Sequence, residues 1–163
     1  MPMTSSITRG LVLPFVLLGL LAAASLASAA EWTDHSGTIC KNYNASDVTF
    51  IDYFFNGTRN LRTGPTSVIC PLTRNTTGTF GAFFYIGVTH FGSQTTTCSA
   101  YSYRLNGTYA CSGGGSYTGG GNGLIGISLY GSGCSDTLSN YSVFCTIPGN
   151  GNGIVNTVDF YEY

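Results

Sequence analysis

Six cysteines, at positions 40, 70, 98, 111, 134 and 145, constrain this chain more than any other feature. An even set in an exported chain reads as three disulfides. A zinc site would want close pairs such as C-x-x-C with histidines nearby, whereas the shortest gap here is eleven positions, from Cys134 to Cys145. The cysteines are therefore staples. In SVICPLTR the residue after Cys70 is Pro71, which has no N–H for a sheet ladder and so belongs at a strand end or edge.

Export is read from the first thirty residues. Arg9 supplies a positive charge, LVLPFVLLGLLAAA runs without a polar group, and SLASAA ends in small residues with Ala27 and Ala29 in an A-x-A pattern. The expected organisation is a signal peptide over 1–29 and one secreted β domain over 30–163, found outside the cell or in the periplasm. No cysteine stands in or just after the leader, and no later run is long and apolar enough to span a membrane, so no stable membrane insertion is expected after cleavage.

Charged residues are only 8% of the chain, against roughly 25% in an average soluble domain, so solubility must rest on hydroxyls and amides. Neither sign clusters, which argues against nucleic acid as a partner.

Short runs of β-branched and aromatic residues, punctuated by Gly, Asn and Pro, predict an all-β fold, an antiparallel two-sheet sandwich of about eight strands stapled by disulfides. The candidate strands are 48–55, 66–70, 79–88, 95–105, 107–111, 123–130, 140–147 and 153–163. In GLIGISLY, alternation puts Ile125, Ile127 and Leu129 on one face. In TTTCSAYSYRL it sets Tyr101 and Tyr103 opposite Cys98, and the tyrosines are assigned to the core. Asn106 and Gly107 form a two-residue hairpin signal of type I′, requiring positive φ at both. SGGGSYTGGGNG (112–123) has seven glycines in twelve residues and reads as a flexible loop. The segment EWTDHSG reads as frayed.

Fifteen pairings of six cysteines are possible. The expected one is nested: Cys40 with Cys70, Cys98 with Cys145, and Cys111 with Cys134. The rival joins Cys98 to Cys111 and Cys134 to Cys145, but a turn at Asn106 and Gly107 sets Ser102, not Cys98, opposite Cys111.

Catalytic patterns are missing. GGGNGLIG has no G-K-[ST] ending, GISLY closes with Tyr130 where a serine elbow needs glycine, and PGNGNG lacks the carboxylates of a calcium loop. His35 and His90 are isolated, and His90 reads as a rim residue. The acids Glu31, Asp34, Asp47, Asp52, Asp136, Asp159 and Glu162 form no motif, and Asp52 reads as an edge position facing water. No catalytic, metal or cofactor residue is assigned, and no cofactor is expected. Sequons at Asn44, Asn56, Asn75, Asn106 and Asn140 would be glycan acceptors in a eukaryotic host.

Three stretches, NYNASDVTFIDYFFNGTRNL, SVICPLTR and YSVFCTIPGNGNGIVNTVDFYEY, resemble small secreted bacterial proteins of predicted β-sandwich type with no assigned activity. Cysteines in runs like TTTCSAYSY and YSVFCTIP recur there, whereas Cys111 and Cys134 are additional. The resemblance implies fold and export and carries over no site residue.

The expectation is a non-catalytic secreted domain binding a surface, a glycan or a protein as an extracellular ligand. One alternative is a small hydrolase using carboxylates, another an inhibitor or toxin-like protein presenting the glycine-rich loop. Eleven tyrosines against one tryptophan favour a wet recognition surface, with Tyr109, Tyr117 and Tyr130 as the expected contact patch.

Overall fold

The computed structural model describes residues 32–74, 80–131, 133–134 and 139–163; the leader, Glu31, Asn75 and Asp136 lie outside them. Among the described residues nine strands form in this order: β1 (Trp32–Ser36), β2 (Lys41–Asn42), β3 (Ile51–Phe54), β4 (Gly57–Asn60), β5 (Thr66–Leu72), β6 (Gly81–Tyr103), β7 (Tyr109–Tyr130), β8 (Asn140–Ile147) and β9 (Gly153–Glu162). Among the described residues there is no α-helix, only two single-turn 3-10 helices.

All pairings are antiparallel, and the two long strands hold the layers together. The first half of β6 pairs with β9, which carries β1 and β4 on its other edge, with β3 beyond β4. The second half of β6 pairs with β8, followed by β5 and β2. The ladder with β7 is interrupted between His90 and Gln94, and there the β6/β7 ribbon turns from one layer into the other. A bulge at a sheet corner has this effect because the unpaired residues bend the strand. The result is a β-sandwich with one ribbon common to both layers.

The core follows from strand alternation. Phe84, Ile86 and Val88 of β6, Val155, Val158 and Phe160 of β9, and Ile125, Ile127 and Leu129 of β7 face Val68, Val143 and Ile147 of the other layer, all buried. Phe84 meets Tyr141 edge-on at 5.4 Å, which joins the layers. Each such side chain contributes roughly 1.5 to 3 kcal/mol by leaving water. Three disulfides form: Cys40 to Cys70 and Cys98 to Cys145 join neighbouring strands of one layer, and Cys111 to Cys134 ties β7 to the segment that follows it. Arg74 and Glu162 form a buried ion pair at 2.7 Å that anchors the end of β9.

Several expectations need correction. The glycine-rich segment 112–123 is not a loop but part of β7, paired with β6 along nearly its whole length. Its inward glycines explain this: a Cβ on Gly115 would stand 2.9 Å from Ile125 Cγ2 and 3.0 Å from the Gly126 carbonyl oxygen, so the two halves of β7 close on each other only without side chains. The described part of EWTDHSG is not frayed, since Trp32–Ser36 pairs with β9. His90 is not a rim residue: it is buried, with Nδ1 2.9 Å from the Gly119 carbonyl and Nε2 2.8 Å from Thr96 Oγ1. The Asn106 turn is not type I′ either. Only Gly107 has positive φ, at 80°, and the loop closes through the Arg104 N–H donating to the Thr108 carbonyl.

Tyr101 and Tyr103 are half-buried on the outer surface, and Cys98, Ala100 and Ser102 point inward instead. The Cys98–Cys145 bridge decides this, because a buried disulfide fixes the face of every second neighbour. Asp52 sits on the edge strand β3 as expected, 3.5 Å from Arg59 across the β3/β4 hairpin.

Candidate functional site

The outer face of the β9 layer carries an aromatic platform that register builds rank by rank. Trp32 of β1 lies beside Tyr161 of β9, Tyr161 beside Phe83 of β6, and Phe83 beside Ser128 of β7. The next rank runs Asp34, Asp159, Tyr85 and Gly126. Gly126 leaves room for the Phe83 ring, which would otherwise meet a Cβ at 3.1 Å.

The rings form one continuous surface. Trp32 stacks on Tyr85 at 5.4 Å and 28°, and lies 5.4 Å from Tyr161 at 33°. Phe83 and Tyr85 are 4.7 Å apart, Tyr161 and Tyr163 6.0 Å, and Tyr130 stacks on Tyr163 at 6.1 Å. Trp32, Phe83, Tyr85, Tyr161 and Tyr163 line an open depression of about 320 Å³. Trp32 is 50% exposed, far more than a core tryptophan, and the pairs orient each ring before any ligand arrives.

At one end of the platform Asp34 and Asp159 are cross-strand partners. Burial pushes the Asp159 carboxyl above its ordinary value; the Thr157 hydroxyl at 3.1 Å opposes this and Asp34 reinforces it. The other described acids are engaged elsewhere. Asp52 faces Arg59 and Glu162 pairs with Arg74. Asp47 is buried, and the Thr66 hydroxyl at 2.5 Å holds its carboxyl below the ordinary value; burial opposes that shift, while Asn44, Arg62 at 2.6 Å and Ser46 support it.

A second aromatic set lies on the other outer face. Tyr43 meets Phe144 edge-on at 4.7 Å and Tyr101 lies 5.8 Å from Tyr103. With Ile69 and Ser142 they line a groove of about 170 Å³. Burial, helped by Tyr101 and Tyr43, raises the Tyr103 phenol above its ordinary value.

Tyr109, Tyr117 and Tyr130 share no ring contact, because β7 folds back on itself and sets Tyr109 and Tyr130 on opposite layers, with Tyr117 near the corner. Tyr130 is 78% exposed and joins the platform through Tyr163. Tyr109 is the partner of Tyr103 on the other layer. Tyr117 packs on His90 at 5.2 Å, and its hydroxyl donates to the Gly120 carbonyl at 3.1 Å. Sequence reasoning missed Trp32, Phe83, Tyr85, Tyr161 and Tyr163. The available signal was alternation in GAFFYIGV and VDFYEY, which puts Phe83 with Tyr85 and Tyr161 with Tyr163.

No family model matches the chain, and no curated protein matches it in sequence. Among solved structures the fold is that of β-sandwich carbohydrate-binding modules. A xylan-binding module, CBM15, superposes with a TM-score of 0.53 at 10% identity, covering 82% of this chain and 97% of that one. The CBM22-1–GH10 modules of Clostridium thermocellum endo-1,4-β-D-xylanase 10B, complexed with xylohexaose, give 0.51 at 12% identity, covering 78% of this chain and 26% of that one.

Proposed function

We propose that the protein is an exported, non-catalytic carbohydrate-binding domain whose ligand is a neutral polysaccharide lying across Trp32, Tyr85 and Tyr161. The single observation that carries this reading is the contiguous platform of outward rings, held at stacking geometry by ring pairs before any ligand is present. Such rings offer flat apolar faces with hydroxyl tips, suited to ligands that are apolar on one face and hydroxylated at the edge. The fold shared with the xylan-binding module supports the reading, and the leader over 1–29 would deliver the domain to where polysaccharides are met.

Affinity electrophoresis through gels containing arabinoxylan, β-glucan or mannan tests this. Retardation by at least one is expected. A ring contact of about 0.5 to 1.5 kcal/mol makes Tyr85→Ala and Tyr161→Ala each weaken binding roughly 2- to 10-fold. Unretarded wild-type protein in all three gels would refute the reading.

A second reading has one observation in its favour: Asp34 and Asp159 stand side by side on the platform, with the Asp159 carboxyl raised by burial. Carboxyl pairs of split acidity perform glycoside hydrolysis. Release of reducing ends that is abolished by Asp159→Asn would establish it. The inhibitor reading has lost the projecting loop on which it rested, since 112–123 is a paired strand.

A further inference from the structure

We propose that the face opposite the platform is a second polysaccharide site, an uncharged track across four strands, so that one molecule joins two polysaccharide chains. The proposal rests on the reading that the protein binds polysaccharide, and adds a site in which none of the platform residues takes part.

The track is set by register. Ser67 of β5 is the partner of Thr146 on β8, Thr146 of Thr97 on β6, and Thr97 of Ser116 on β7. At one strand spacing per step this is a rank of four hydroxyls about 14 Å long. All four point outward, because their neighbours Val68, Cys98 and Cys145 are buried. Two residues back along the ribbon, Thr95 and Thr118 form the next pair. The hydroxyls are ordered by one another, with Ser67 and Thr146 at 3.2 Å and Thr95 and Thr118 at 2.8 Å. Each keeps further capacity for a ligand, since a hydroxyl can donate once and accept twice.

Along the strands, the surface on either side of the rank continues in the chemistry that a sugar needs. Beyond Thr95 lies a polar depression of about 440 Å³, whose lining includes Thr63, Ser93, Gln94, Asn150 and Asn152. In the other direction the strands lead to the groove of Tyr43, Tyr101, Tyr103 and Phe144. Along β6, from Thr95 to Tyr103, the face runs about 27 Å, long enough for several sugar rings.

Charge selects the occupant. None of the track residues is Asp, Glu, Lys or Arg. Of the flanking cations, Lys41 at the edge sits over the Tyr53 ring at 4.7 Å and donates to the Thr38 carbonyl at 3.3 Å, and Arg62 pairs with Asp47 at 2.6 Å. A phosphate backbone or a charged protein surface would find no charged partner among the track residues themselves. A neutral polyol chain would find hydroxyls, amides and ring faces in sequence.

The test uses the mature, oxidised chain with soluble arabinoxylan and soluble β-glucan. It reads retardation in affinity gels for binding and light scattering of mixtures for cross-linking. Three double variants are compared with wild type: Trp32→Ala with Tyr161→Ala on the platform, Tyr101→Ala with Phe144→Ala in the groove, and Thr97→Val with Ser116→Val in the rank. The valine pair keeps strand preference and lies on the surface, so it remains informative if the groove variant fails to fold. We expect wild type to raise scattering with at least one polysaccharide. Each double variant should lose at least tenfold of that signal while still being retarded. Undiminished scattering by the valine pair, or a platform variant with no retardation left, would overturn the second site while leaving the platform intact. Wild type that is retarded but never scatters would do the same, whereas wild type that is not retarded overturns both readings.

Discussion

His90 Nε2 lies 2.8 Å from Thr96 Oγ1, bridging the six positions over which β6 leaves one layer of the sandwich and enters the other. The opposite ring nitrogen, Nδ1, donates to the Gly119 carbonyl on the neighbouring strand. One imidazole thus closes the corner on both strands of the ribbon. His90→Ala leaves two polar groups without their partner, and an unsatisfied buried group costs about 1 to 3 kcal/mol. Urea unfolding should show a loss in that range or above, and Thr96→Val a smaller one. No loss in His90→Ala would mean that the corner holds without it.

The glycines of β7 are expected to divide by face. Gly115→Val forces a side chain against Ile125 and the Gly126 carbonyl, and such overpacking costs about 1 to 3 kcal/mol. On the outer face, a Cβ at Gly114 meets nothing closer than the Cys98 carbonyl oxygen at 3.5 Å, so Gly114→Val should be neutral or stabilising through strand preference. Equal effects at the two positions would contradict the inward packing of the tract.

Two carboxylates act on stability in opposite directions. Asp47 is lowered in the fold, so its contribution is fully present above the ordinary value of 3.8 and is lost as pH falls through the folded value. Asp47→Asn should therefore lower the thermal midpoint at pH 7 and flatten the acid limb of its pH profile. Asp159 is raised, so its contribution is complete below 3.8 and is lost as pH rises through the folded value. Asp159→Asn should be at least as stable as wild type at pH 7. A thermal midpoint lowered at pH 7 in that variant would count against the burial of this carboxyl.

Much of the sandwich was legible because its signals are local. The run NYSVFCTI is β8 without adjustment, and Ile125, Ile127 and Leu129 are buried as alternation requires. The glycine tract was not legible, since its strand character comes from the close approach of distant residues and not from propensity. Ser102 does face Cys111, by a route the sequence did not disclose: a three-residue loop at Leu105–Gly107 shifts the register by one, and an irregularity between Ser102 and Tyr103 shifts it back. The platform was half visible. Paired aromatics on single strands can be read from alternation, but their assembly depends on β1, β6 and β9 being neighbours, which is a matter of topology.

Trp32 is the single tryptophan of the chain and packs on Tyr85 and Tyr161 of the platform, so its fluorescence reports on that face alone. Titration of the mature protein with the polysaccharide that retards it most is the most direct measurement of the central claim. A saturable blue shift of the Trp32 emission, weakened roughly 2- to 10-fold in half-saturation by Tyr161→Ala, is the predicted result. Saturable binding by calorimetry with no change in Trp32 emission would contradict it.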